Sequence, residues 1–159
     1  MKRFVYTLLL IGTASMLFSC HRSMVYDRYE HTPVAGWEKN DTLSFEIPGM
    51  DQDGDYQSCL GLRITSSYPF MRLTLIVRSE IHPKTHPQDG MSTQEDTVVC
   101  SLIDSIGRTK GQGIGSYQYM FPVTSLHLQK GDSLHIAIRH DMKREILPGI
   151  TDIGLQIHR

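Results

Sequence analysis

Little in this chain is concentrated. Formal net charge is −1, from 16 basic and 17 acidic residues, so the polycationic footprint that marks a nucleic-acid binder is absent. The main apolar run, Phe4 through Leu17, is broken by Gly12, Thr13 and Ser15 and falls short of the roughly 20 apolar residues that span a bilayer. No internal repeat or low-complexity tract is visible. Neither Gly-x-Ser-x-Gly nor His-Glu-x-x-His occurs, which removes the local signatures of a serine hydrolase and a zinc protease. Scattered serines, histidines and aspartates form no pattern that proposes a triad. The expectation is a non-enzymatic protein with no catalytic residue and no cofactor.

Cysteine is scarce as well, with three in the chain, and the first has a special setting. Lys2 and Arg3 form a basic start, the interrupted apolar run follows, and Leu17-Phe18-Ser19-Cys20 closes it. That order describes a secretory signal. A small residue just before Cys20, with Leu17 three before it, resembles a bacterial lipobox. The resemblance implies cleavage after Ser19 and a diacylglycerol on Cys20, which makes Cys20 the lipid-attachment residue and the membrane the first partner. The chain then divides into a signal peptide (1–19), a lipidated N terminus and tether (20–35), and one folded domain (36–159). That remainder is long enough to build a core without staples.

Two cysteines are left, and an exported chain invites a disulfide between Cys59 and Cys100. Register argues against it. Leu60, Leu62 and Ile64 face inward and send Cys59 to the other side of its strand, whereas Cys100 shares a core face with Val98 and Leu102.

The tether holds Pro33 and two tyrosines, Tyr26 and Tyr29, that can still dock onto the domain, and beyond it the only tryptophan, Trp37, opens the domain as a core anchor. Period-2 alternation predicts strands at Leu43–Ile47, Tyr56–Thr65, Met71–Arg78, Asp96–Asp104, Tyr117–Phe121, Leu134–Ile138 and Ile153–Ile157. Met71, Leu73, Leu75 and Val77 are expected on one inward face. Ile81 to Thr93 reads as a long exposed loop, and Asp141 to Glu145 as a single helical turn. Roughly six to eight strands without a long helix predict an all-β antiparallel sandwich, jelly-roll or immunoglobulin-like.

Asp51, Asp53 and Asp55 alternate as carboxylates do around a hard cation. An EF-hand would need glycine and glutamate where Tyr56 and Leu62 stand, so a solvated hairpin tip is the better reading. A weak calcium site is its alternative. Gly111-Gln112-Gly113-Ile114-Gly115 lacks the spacing and the following helix of a dinucleotide loop, and reads as sharp bends. His82 and His86 are four apart, but Pro83 and Pro87 deny them a shared helical face. His135 and His140, the latter beside Asp141, read as surface histidines.

Several blocks together carry a family likeness: Val25-Tyr26-Asp27-Arg28-Tyr29, Gly36-Trp37-Glu38-Lys39-Asn40-Asp41-Thr42 and Tyr68-Pro69-Phe70. After them come Asp96-Thr97, Leu102-Ile103-Asp104, Gly111 to Gly115, Met142-Lys143-Arg144 and Leu147 to Leu155. In this order they resemble the gliding-motility lipoprotein GldH family of the Bacteroidota. The resemblance implies a cell-envelope lipoprotein that contacts proteins of the gliding and associated secretion machinery, with no catalytic residues to carry over. Surface-exported lipoproteins of that phylum tend to have an acidic cluster after the lipid cysteine. Here His21-Arg22-Ser23-Met24 stands instead, which implies an outer-membrane anchor facing the periplasm. Contact through Gly107–Ser116 and His140–Pro148 is expected, since sandwiches bind through loops at one end. The alternative is a lipid-anchored carbohydrate- or calcium-binding module using the Asp51–Asp55 loop.

Overall fold

The structure, a computed structural model, describes residues 24–84 and 90–159. The expected signal peptide, Cys20 and His86 lie outside the described residues. Within them the chain forms β1 (Met24–His31), β2 (Trp37–Glu38), β3 (Leu43–Ile47), β4 (Gly54–Thr65), β5 (Arg72–His82), β6 (Ser92–Ser101), β7 (Ser116–Leu128), β8 (Ser133–His140), β9 (Ile146–Leu147) and β10 (Ile150–His158). Two four-stranded sheets, ordered β1-β10-β4-β7 and β3-β8-β5-β6, pack face to face, and β2 pairs with β9 as a short ribbon. All pairings are antiparallel. The all-β sandwich is therefore the observed fold, and the strand order distinguishes its two versions. Among the long strands only β5 and β6 form a hairpin within one sheet, while the other connections cross between sheets. That is jelly-roll wiring.

Alternation fixes which way each strand faces. Leu134, Ile136 and Ile138 of β8, with Leu73, Leu75 and Val77 of β5, cover the inside of one sheet. Leu60, Leu62 and Ile64 of β4, with Ile153, Leu155 and Ile157 of β10, cover the other. Each such side chain contributes about 1.5–3 kcal/mol on burial, and slipping one strand by a residue would turn its whole set to solvent. Cys100 is fully buried in this core, where desolvation pushes its thiol up to about 12. Cys59 is half-buried on the outward side of β4, and the two are not joined.

Five expectations change, the simplest being the loop expected at Ile81–Thr93, whose ends belong to β5 and β6. Residues 24–35, read as tether, belong to the sandwich: β1 pairs with β10 from Met24↔His158 to His31↔Asp152. The cause is side-chain packing: Tyr29 docks onto the domain, and the backbone around it pairs as a full strand. Tyr29 lies across Gly154 of β10 and Gly61 of β4, where an added methyl would run into its ring. The Arg63 guanidinium stacks over the same ring at 4.1 Å. Thr32 then ties the strand end down through hydrogen bonds from its amide to the Thr151 carbonyl (3.1 Å) and from its hydroxyl to the Ile150 carbonyl (2.6 Å). Strand β7 runs on through Pro122, which sits on an edge strand opposite a bulge at Gln57–Cys59, a place where a missing N–H is tolerated. Met71 precedes β5 and is 52% exposed instead of facing the core. Asp141–Glu145 is a bend without helix.

The sandwich has two ends of different make. At the upper end lie the connections 32–42, 66–71, 102–115 and 141–149, and at the lower end 48–53, 83–91 and 129–132. Because β1 pairs Met24 with His158, the chain enters the sandwich at the lower end.

Candidate functional site

Six of the family-like blocks, far apart in sequence, meet at the upper end. Its foundation is Trp37, fully buried, with its indole N–H donating to the Asp41 carbonyl at 3.1 Å. His140 packs edge-on against that indole, ring centroids 5.3 Å apart. The expectation of a surface histidine is corrected here, for His140 is fully buried. It sits on the inward side of β8 in step with Leu134, Ile136 and Ile138, and an alternation continued by one more residue would have placed it there. Its Nε2–H donates to the Trp37 carbonyl at 3.2 Å, and its Nδ1 accepts the Met142 amide at 3.4 Å. Desolvation holds its pKa below the usual imidazole value, against the pull of the Trp37 carbonyl. Both nitrogens are thus occupied by a neutral ring, which makes His140 a structural pin.

The Leu147–Leu155 block is structural in a similar way. Leu147 pairs with Trp37, and the Gly149 carbonyl accepts the Thr65 amide at 2.8 Å. Gly149 has φ +80° and presses on the backbone of Ser67 and Tyr68, so a side chain there would be both strained and blocked.

Above this foundation the 102–115 connection folds into two stacked turns. Asp104 organises the first: its carboxylate accepts the amides of Arg108 (2.8 Å) and Ile106 (3.0 Å) and the Arg108 guanidinium (2.9 Å). The Arg108 amide first, then its guanidinium and the Ile106 amide, hold this carboxyl below the usual carboxylate range. Gln112 and Gln118 exchange backbone hydrogen bonds at 2.9 and 3.0 Å to close the second turn, and Gly113, at φ +136°, lies against the Ser116 carbonyl. The glycine run therefore makes bends, not a phosphate cradle. Each turn lifts an apolar side chain into solvent, Ile106 at 70% and Ile114 at 103% exposure.

Below the turns the surface opens into two grooves separated by Lys110, whose ammonium donates to the Ser101 hydroxyl at 2.8 Å. One, about 760 Å³, is lined by Phe70, Met71, Arg72, Ile103, Asp104 and Met142, among others. The second, about 410 Å³, runs along Gln112, Gln118, Tyr119, Met120 and Phe121. Lys110 and Met142 share the first groove, so the structure brings together Gly107–Ser116 and His140–Pro148. Sequence reasoning missed Met71. Its place in the period-2 row with Leu73 hid that it stands one residue before the strand, where its carbonyl accepts the Leu102 amide at 3.0 Å.

Asp51, Asp53 and Asp55 lie at the lower end and do not converge. Asp55 meets His127 (2.8 Å), Asp53 accepts the Lys130 amide (2.6 Å), and Asp51 borders a groove with Lys84 and Lys130. Among the described residues no three His, Cys, Asp or Glu side chains are grouped to hold a metal. His82 is exposed at the end of β5, and His135 is paired with Glu46 at 2.6 Å.

A sandwich whose elaborate end is built from structural pins, apolar loop tips and open grooves belongs to the class of loop-presenting β-domains. The comparisons specify the family. The model of the GldH lipoprotein family matches residues 24–157, and the chain belongs to that family. It is 29% identical to the gliding motility lipoprotein GldH of Flavobacterium johnsoniae, over 95% of this chain and 94% of that protein. A GldH homolog of Christiangramia forsetii is 23% identical over 98% and 93% respectively. Among solved structures, a carbohydrate-binding module specific for non-crystalline cellulose is similar at TM-score 0.46 and 10% identity, covering 84% of this chain and 72% of its own. A likeness at that level carries no inference about ligand.

Proposed function

We propose that this protein is a non-enzymatic lipoprotein of the cell envelope, anchored through a diacylglycerol on Cys20 in the outer membrane on its periplasmic side. It acts by protein–protein contact within the gliding-motility machinery and the secretion system coupled to it, and the upper end of the sandwich is its contact surface. One observation carries this reading: of the ten large apolar residues exposed among the described residues, five (Val34, Met71, Ile106, Ile114 and Ile146) stand on upper-end connections, against Met24, Val25 and Met91 at the lower end, whereas scattered single apolar residues are the ordinary state of a surface. Grooves flanked by such residues and rimmed by Lys110, Arg72 and Gln118 have the mixed character of a protein interface. The family relatives named for gliding motility supply the machinery in which a partner is sought.

The test is crosslinking and affinity capture of the native protein beside Cys20→Ser and Ile106→Asp/Ile114→Asp forms. The expected result is capture of motility or secretion components by the native chain, with loss in both variants. Equal capture by the loop variant would remove the upper end from the proposal, and equal capture by Cys20→Ser would remove the anchor.

A further inference from the structure

We infer that the lower end of the sandwich lies against the phospholipid headgroups, so that the upper end projects away from the membrane. The inference deepens the proposed function and rests on its reading of Cys20 as the lipid-bearing residue. Cys20 precedes Met24 by four residues, a stretch that reaches at most about 15 Å even when fully extended. Met24 is not at an arbitrary point of the domain. It is held opposite His158 by the β1–β10 ladder, at the lower end, and that ladder is locked by Tyr29 over Gly154 and Gly61. The anchor therefore has no slack with which to turn the domain over. Strand β4 alone, at 12 residues, carries the upper end about 40 Å further from that point.

The surface that meets the headgroups is the groove of about 590 Å³ between Gly49–Asp51 and Lys130–Gly131, with Lys84 at its side. Among the described residues neither Lys84 nor Lys130 takes part in an ion pair. The Lys84 stem lies on Gly131, a glycine with φ +93°, where any side chain would displace it. The nearby acids are mostly engaged: Asp132 is buried and accepts the amides of Lys84 (3.1 Å) and Gln129 (2.9 Å), Asp53 accepts the Lys130 amide, and Asp55 pairs with His127. Asp51 remains at the groove mouth. Two lysines at the end from which the anchor comes, neither in an ion pair among the described residues, suit lipid phosphates.

The experiment uses the full lipidated chain in vesicles of phosphatidylethanolamine and phosphatidylglycerol with a trace of headgroup-labelled acceptor lipid. Single donors are placed at Gln129→Cys or Ile106→Cys in a Cys59→Ser background, and intact mass confirms lipidation. Energy transfer from position 129 is expected to exceed that from position 106 several-fold, and Lys84→Glu/Lys130→Glu should lower it in anionic vesicles without changing the melting temperature of the soluble domain. Equal transfer from both sites in a chain that carries lipid overturns the orientation alone. Transfer unaffected by the double charge reversal removes the two lysines as headgroup contacts. A mass showing no lipid overturns the anchor itself, and the orientation with it.

Discussion

The two ends of this sandwich use the same kind of strand ends for opposite purposes. At the upper end, loops are fastened to the core by buried groups, Trp37, His140, Leu147 and Tyr68, and their tips then carry apolar side chains outward. At the lower end, the 48–53 and 129–132 turns are held by carboxylates accepting backbone amides, as Asp132 does for Gln129 and Asp53 for Lys130, and the outward groups include Lys84 and Lys130 as well as Met24, Val25 and Met91. A loop that presents apolar surface must be held in place by something other than that surface, or it would collapse onto the core. The upper end meets this requirement with its buried pins. The end proposed to meet a partner and the end proposed to lie at the anchor are separated by about the length of a β-strand.

The most forceful way to break this contrast is to remove the foundation of the upper end. Trp37→Ala should cost about 3–5 kcal/mol, the usual range for deleting a large buried aromatic, and should also free β2 from β9, since Trp37 and Leu147 form one of only two pairs between them. Urea unfolding would show the loss as a lower midpoint. A change under about 1 kcal/mol would mean the upper end is not built on Trp37.

Next in size is the lock on β1. Tyr29→Ala leaves a trough over two glycines and is expected to cost about 2 kcal/mol, with amide exchange speeding up along Met24–His31 before the rest of the sheet. Gly154→Val attacks the same contact from the other side, because a side chain there runs into the Tyr29 ring. Uniform loss of protection across the domain, with β1 no weaker than β4, would show that the strand is not an independent tie.

These two sites mark the boundary of what the sequence showed. Period-2 rows such as Leu134-Ile136-Ile138 announced their strands because one face had to be buried. Tyr29 could not announce β1, since its partners Gly61 and Gly154 have no side chain to read and lie far along the chain. His140 continued a legible row but was read by chemistry, beside Asp141, and not by register. Loops Gly107–Ser116 and His140–Pro148 were legible as loops, and the groove they share was not, because it depends on β6 and β8 ending on the same side. At the lower end the alternating aspartates carried only a weak calcium alternative, and the turn between β3 and β4 sends Asp53 to the Lys130 amide and Asp55 to the His127 ring.

A smaller effect follows from the state of His140. Its folded pKa lies below its unfolded value, near 6.5, so the unfolded chain takes up the proton first as pH falls. The stability contributed by the neutral ring is full above about pH 6.5 and is lost as pH drops through and below that value. Protonation would set an N–H on Nδ1 against the Met142 amide that it now accepts. Melting temperature should therefore decline between pH 7 and pH 5, and His140→Gln should flatten that decline while lowering stability at pH 7. A variant with the same slope as the native chain would assign the pH response to other groups.

The smallest effect on folding is expected where the functional effect is greatest. Ile106 and Ile114 sit on turns already closed by Asp104 and by the Gln112–Gln118 pair, and their side chains touch little else at 70% and 103% exposure. Replacing both by aspartate should therefore change unfolding free energy by no more than about 0.5 kcal/mol and leave the upper-end grooves intact. Capture of the envelope partner should nevertheless fall strongly, because two charges would stand where the apolar tips enter a desolvated interface. The same exchange at the lower end, Lys84→Glu with Lys130→Glu, should spare partner capture. If the loop variant unfolded like Trp37→Ala, the tips would be part of the fold, and the division between a foundation that holds and a surface that binds would have to be abandoned.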